Sequence, residues 1–165
     1  MKITQVKTLH DLGFKKERQF PKEEKDKIVK AVENIQFKDF NSYSKNFEKE
    51  LAKELGSNFC INSPIFEGNK HSLDFYNPEL KIGIEIEKTK TTTLLLNVIK
   101  LIVGYKNEKI DFGVLMFPDK YRNKTTPEGH QDKFLNRLEN ELNLIKSILE
   151  IKDILIIEYD TSCFF

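Results

Sequence analysis

Between residues 90 and 105 the chain carries Leu94, Leu95, Leu96, Val98, Ile99, Leu101, Ile102 and Val103, apolar side chains that run around most of a helix's circumference. A helix that is apolar on nearly every side has to be covered by other layers of the molecule. Asn97 and Lys100 interrupt the run, and a membrane-spanning helix needs ~20 apolar residues, so the expected cover is protein. Strand-like runs flank it, 81–88 before and 110–117 after, which makes a sheet the natural surface for it to lie on.

The remainder of the chain supplies further layers. Pro21 followed by Lys22, Glu23 and Glu24 has the form of a first helical turn, and Ile28, Val29, Val32 and Ile35 make the apolar stripe of a helix ending near Gln36. Ser42 or Ser44 is suited to cap a second helix, in which Phe47, Leu51 and Leu55 recur at every fourth position until Gly56 stops it. Extended runs follow at 58–62, 72–76 and 81–88, with Asn77-Pro78-Glu79-Leu80 as a turn between the last two. Pro118 closes the run at 110–117. A basic loop comes next, then Phe134, Leu135, Leu138, Leu142, Ile145 and Leu149 mark a long amphipathic helix, and 151–159 reads as a last strand. The predicted order is α, α, β, β, β, α, β, α, β. No repeat, low-complexity segment or Pro-rich or Gly/Ser-rich linker interrupts it, so residues 1–165 are expected to form a single domain.

A composition of 39% hydrophobic and 32% charged residues excludes an intrinsically disordered chain. With 27 Lys and Arg against 26 Asp and Glu, the net charge neither requires nor forbids a nucleic-acid partner, because a binding face depends on how charge is distributed. The distribution is uneven: the loop at 118–125 holds Lys120, Arg122 and Lys124 against Asp119 alone. The N-terminal segment lacks the apolar stretch of a signal peptide, so the expected compartment is the cytoplasm. Cys60 and Cys163 have no metal-binding spacing and are expected to be reduced thiols. His10, His71 and His130 lie far apart, and neither a Gly-x-Ser-x-Gly element nor a Gly-rich phosphate loop is present.

The chemistry concentrates in the hairpin. With Pro78 and Glu79 as central turn residues, Asn77 faces Leu80, Tyr76 faces Lys81 and Asp74 faces Gly83, which puts Glu85 diagonally across from Asp74 on one face. Alternation adds Glu87 to that face and turns Ile82, Ile84 and Ile86 to the other. Three such acids repel one another unless a cation or a long water-filled cleft sits between them, and Mg²⁺, a hard cation that takes carboxylate, water and phosphate oxygens, suits the place. Gly83 removes a side chain where something approaches closely, Lys88 and Lys90 add positive charge at the strand end, and Glu48 on the preceding helix is within reach of the same cleft. An amphipathic hairpin with a merely solvated polar face would show the same alternation.

Ser72-Leu73-Asp74-Phe75, a ten-residue spacing, then Glu85-Ile86-Glu87-Lys88 resembles the PD-(D/E)xK nuclease core, and the Glu-x-Glu ending is similar to the BamHI/BglII group of type II restriction endonucleases. The order helix, three strands, helix, strand over 44–117 matches that group's αβββαβ core. The resemblance implies an α/β fold with a mixed central sheet flanked by helices. It implies too that Asp74, Glu85 and the Ile86 carbonyl hold a divalent metal, Mg²⁺ or alternatively Mn²⁺, and that Glu48 is the helix acid. Glu87 stands where the family has lysine, and no proline precedes Asp74. Either Glu87 orients or deprotonates water, or Lys88 or Lys90 substitutes from a neighbouring position, or the site is degenerate.

The expected function is metal-assisted phosphodiester hydrolysis in double-stranded DNA, with Asp74, Glu85, Glu87 and Glu48 as catalytic residues and Lys88, Lys90, Lys120, Arg122 and Lys124 contacting DNA. A non-catalytic nucleic-acid-binding or interaction module on the same scaffold is the alternative. Cutting both strands of a palindrome in one encounter favours a homodimer, built on the apolar surfaces of 94–103 or 134–149.

Overall fold

The computed structural model describes residues 1–16, 18–88, 93–120, 122 and 134–162. Among these residues a six-stranded mixed sheet is flanked by four helices. In chain order the elements are β1 (Ile3–Thr8), α1 (Lys22–Asn34), α2 (Phe40–Leu55), β2 (Cys60–Pro64), β3 (Ser72–Asn77), β4 (Ile82–Ile86), α3 (Leu94–Lys106), β5 (Phe112–Pro118), α4 (Phe134–Leu144) and β6 (Asp153–Tyr159). The expected order holds from α1 onward, and β1 is an addition. The long final helix stops at Leu144, with a single 3₁₀ turn at Lys146–Ile148 after it. Among the described residues no helix is long and apolar enough to cross a membrane.

Across the sheet the strands run β1-β6-β5-β4-β3-β2. β4, β5 and β6 are parallel, while β1, β2 and β3 attach antiparallel. Parallel strands are covered on both faces, which is why IGIEI, FGVLMFP and DILIIEY are buried at every position. Alternation divides them between two cores. Leu115, Phe117, Ile154 and Ile156 pack with α3 and α4, whereas Ile82, Ile84, Ile86, Val114, Met116, Leu155 and Ile157 pack with α1 and α2.

Local chemistry sets the element ends. The α2 cap is Asp39, not Ser42 or Ser44: its extended backbone lets Oδ1 accept from Ser42 N at 2.8 Å. Gly56 at φ +80° ends the helix as expected. Gly113 lets α3 settle onto the sheet, since a Cβ there would lie 2.8 Å from Leu101 Cδ1.

Asp153, fully buried at the start of β6, ties down the connection between β1 and α1. Its Oδ1 accepts from Leu9 N (3.1 Å) and Ile154 N (2.9 Å), and its Oδ2 accepts from Phe20 N (2.9 Å). Asp153→Ala would strand the buried Phe20 N–H, at a cost of about 1–3 kcal/mol, while Leu9 N would keep its bond to the Ile154 carbonyl at 3.1 Å. A loss of about 2 kcal/mol is the expected result in urea unfolding, and a loss within 0.5 kcal/mol would show that the connection is held by other contacts.

Candidate functional site

The site lies where β3 and β4 part. Asn77, buried at the end of β3, accepts from the backbone N–H groups of both Glu79 and Leu80 at 3.0 Å, and Lys81 adopts φ +50°. These contacts build a four-residue turn, so the pairs are Asn77 with Ile82, Tyr76 with Gly83 and Phe75 with Ile84. The expected two-residue turn is corrected by a two-residue shift, which keeps Tyr76 and Gly83 on one face and Phe75, Ile82 and Ile84 on the other, while Leu73 packs on the Gly83 side, so the alternation breaks at Asp74. Gly83 therefore faces Tyr76, not Asp74. What approaches it is core: a Cβ there would lie 3.0 Å from Leu73 Cδ1 and 3.1 Å from Ile110 Cγ2.

Continued by one residue, the ladder would set Asp74 across from Glu85. Instead the Asp74 carboxylate enters the gap and its Oδ2 accepts from Ile86 N at 2.7 Å. Glu85 is 1% exposed and faces α3, where Lys100 Nζ donates to its Oε2 at 2.5 Å. Its other oxygen, Oε1, is buried without a hydrogen-bond partner among the described residues. Burial, then the neighbouring Asp74 charge, pushes the Glu85 carboxyl up to about 8 against the pull of Lys100. Asp74 is raised too, by burial, with the Ile86 N–H and Lys100 opposing.

Glu48 joins from α2. Lys88 Nζ binds Glu48 Oε1 at 2.8 Å and donates to the Ser44 carbonyl at 3.1 Å, locking the chain after β4 to the helix. Glu48 and Asp74 line one cavity between α2 and β2. Glu87 goes elsewhere. It is 7% exposed, accepts from Thr93 Oγ1, and lies near the buried hydroxyl pair of Tyr43 and Tyr159, whose oxygens are 2.9 Å apart. The expected convergence of three acids is thus corrected to the pair Asp74 and Glu85. Among the described residues no group of three or more His, Cys, Asp or Glu is placed to hold a metal ion.

The donor set that remains still fits a hard cation. Two adjacent carboxylates, one with an orphaned buried oxygen, lack the positive charge that would balance both, because Lys100 supplies only one.

Lys100 is the residue that sequence reasoning missed. A lysine within an otherwise apolar, covered helix needs a buried partner, and that interruption was the available signal.

The basic loop is less available to DNA than its composition implies. Arg122 is buried; its guanidinium grips both Asp119 oxygens at 2.5 and 2.9 Å and donates to Thr161 Oγ1 at 2.7 Å, stitching the ends of β5 and β6 together. This corrects its expected place as an exposed phosphate contact. Lys120 is partly buried, and Lys90 and Lys124 lie outside the described residues. Of the surfaces expected to form a dimer, 134–149 buries Phe134, Leu135, Leu138 and Leu142 in the core and leaves Leu144 and Ile148 exposed, while α3 leaves Leu96 and Ile99 exposed. Cys60 is a free thiol on the outer strand β2.

No curated protein matches the chain. A family model described as putative halobacteria restriction endonuclease matches residues 4–159. The match starts within β1 and ends at the last residue of β6, so it takes in all six strands and the cluster of Asp74, Glu85 and Lys100. The chain belongs to this restriction endonuclease family.

Proposed function

We propose that the chain is a metal-dependent DNA endonuclease of the PD-(D/E)xK type, similar to the BamHI/BglII group, that hydrolyses phosphodiester bonds as a type II restriction enzyme does. The observation that carries this reading is the juxtaposition of Asp74, Glu85 and Lys100 at the break in the β3–β4 ladder. A divalent ion held by Asp74, Glu85 and the Ile86 carbonyl would polarise the scissile phosphate and acidify a bound water.

The chain's own residues do the rest. Asp74 is oriented by the Ile86 N–H, so its second oxygen is left for a ligand. Lys100 takes the part of the lysine that Glu87 displaces: its ammonium, already at Glu85, steadies the negative charge that develops on phosphate oxygens. Lys88 neutralises Glu48 beside Asp74, lowering the repulsion an incoming phosphate meets. Glu87, engaged by Thr93 Oγ1, takes a supporting role in this reading.

Cutting both strands calls for two copies of the site, and the homodimer remains part of the proposal, with Leu96 and Ile99 of α3, or Leu144 and Ile148 after it in the chain, as exposed apolar residues for it. Incubation with unmethylated plasmid and Mg²⁺ is the test. Discrete linear fragments, abolished by EDTA, are the expected products. Nicked circles alone would refute the dimer, and uncut DNA at micromolar protein would leave only the non-catalytic reading.

A further inference from the structure

The cavity of about 410 Å³ beside Asp74 is bounded by Lys45, Glu48 and Lys49 of α2 and by Ile61 and Asn62 of β2. The geometry points to this cleft as the seat of the DNA strand that is cut, with Lys45 and Lys49 binding successive backbone phosphates next to the reacting one. The inference deepens the nuclease reading and rests on it.

Lys45 and Lys49 are four residues apart on a helix, so they share one side of α2, and both are exposed. Like charges at this spacing repel, a cost an anionic ligand removes. Other lysines nearby are committed: Lys53 to Glu50 at 2.8 Å and Lys88 to Glu48 at 2.8 Å. Among the described residues neither Lys45 nor Lys49 forms an ion pair. Two uncommitted ammonium groups therefore stand beside a cavity that ends at a catalytic carboxylate.

Spacing and wall chemistry agree with a nucleic-acid backbone. Four residues advance about 6 Å along a helix; one strand of a duplex rises ~3.4 Å of axis per phosphate and also winds around that axis, so neighbouring phosphates lie farther apart than the rise alone and within reach of two long lysine side chains so spaced. Across the cleft Ile61, 53% exposed on the edge strand, offers an apolar surface to a sugar ring. A cleft of this size admits one strand's backbone and not a whole duplex, which leaves the second strand for a second copy of the site.

The test uses the full chain carrying Asp74→Asn, which holds DNA uncut. Fluorescence anisotropy of a labelled duplex is measured over a series of NaCl concentrations for this protein and for the same protein with Lys45→Ala and Lys49→Ala. Each lost phosphate contact flattens the plot of log affinity against log salt by about 0.9. The double replacement is expected to weaken binding about tenfold or more at low salt and to flatten the slope by about 1–2. A charge-matched pair, Lys106→Ala with Lys152→Ala, neither of which lines the cavity, should leave the slope unchanged. Alanine favours helix, and circular dichroism checks that α2 persists. Unchanged affinity and slope in the Lys45/Lys49 variant, with the unmutated chain still cutting plasmid, would overturn this inference alone. Absence of both binding and cutting in the unmutated chain would overturn it together with the nuclease reading.

Discussion

Asp74→Asn and Glu85→Gln are each expected to slow plasmid cleavage by about a thousandfold or more, without unfolding the protein. Both carboxylates lose charge in these variants while keeping their shape and most hydrogen bonds, so what disappears is the negative charge a hard cation requires. Stability should move in the opposite direction to activity. In the metal-free protein Glu85 has its carboxyl raised to about 8 by burial and by Asp74, above its unfolded value. A raised acid contributes stability that is fully present below the unfolded pKa and is lost as pH rises through the folded one. The metal-free wild type should therefore lose stability progressively between about pH 4.5 and 8, whereas Glu85→Gln, which cannot ionise, should not. At about 1.4 kcal/mol per pKa unit, and discounting for the ion pair with Lys100 that the replacement gives up, the variant should be more stable at pH 9 by on the order of 2 kcal/mol. Urea unfolding at pH 5 and pH 9 in EDTA measures it. A variant that still cuts, or that is no more stable than wild type at pH 9, contradicts the assignment of Glu85 as a strained metal ligand.

Lys100→Ala is the second large effect. The ammonium lies 2.5 Å from Glu85 Oε2, and loss of a positioned group that stabilises developing charge costs about 10²–10³ in kcat. The fall should be in kcat and not in KM, because the charge it meets develops only in the transition state. Lys100→Arg should restore part of the rate, which a purely structural ion pair would not couple to kcat. Lys88→Ala, with its charge directed to Glu48, and Glu87→Gln, with its carboxylate engaged by Thr93, should each cost less. If Glu87→Gln proves more damaging than Lys100→Ala, then Glu87 acts on water directly and the relocated lysine is excluded.

Much of this architecture is legible from residue order. The element sequence from α1 to β6 follows from apolar periodicity, and the continuous apolar runs of β5 and β6 mark strands covered on both faces. β1 escaped because its side chains are mostly half-buried with no clean alternation; β6 creates it by offering an antiparallel edge. The α2 cap lies three or five residues ahead of the expected Ser42 or Ser44 because any of Asp39, Ser42 and Ser44 has the right chemistry, and backbone angles alone choose among them.

The site divides along the same line. By itself the sequence determined that Asp74 and Glu85 come together on paired strands of a hairpin ahead of a buried helix, because a register error of two residues still leaves them cross-strand neighbours. It could not determine the turn length, which depends on Asn77 capping two N–H groups and on Lys81 adopting a left-handed conformation. Nor could it separate Glu87 from the other acids or bring Lys100 to them from fifteen residues away. Those outcomes belong to tertiary structure, for a physical reason: a buried charge takes whatever partner packing brings within about 3 Å, and that distance is set by how α3 settles on the sheet over Gly113.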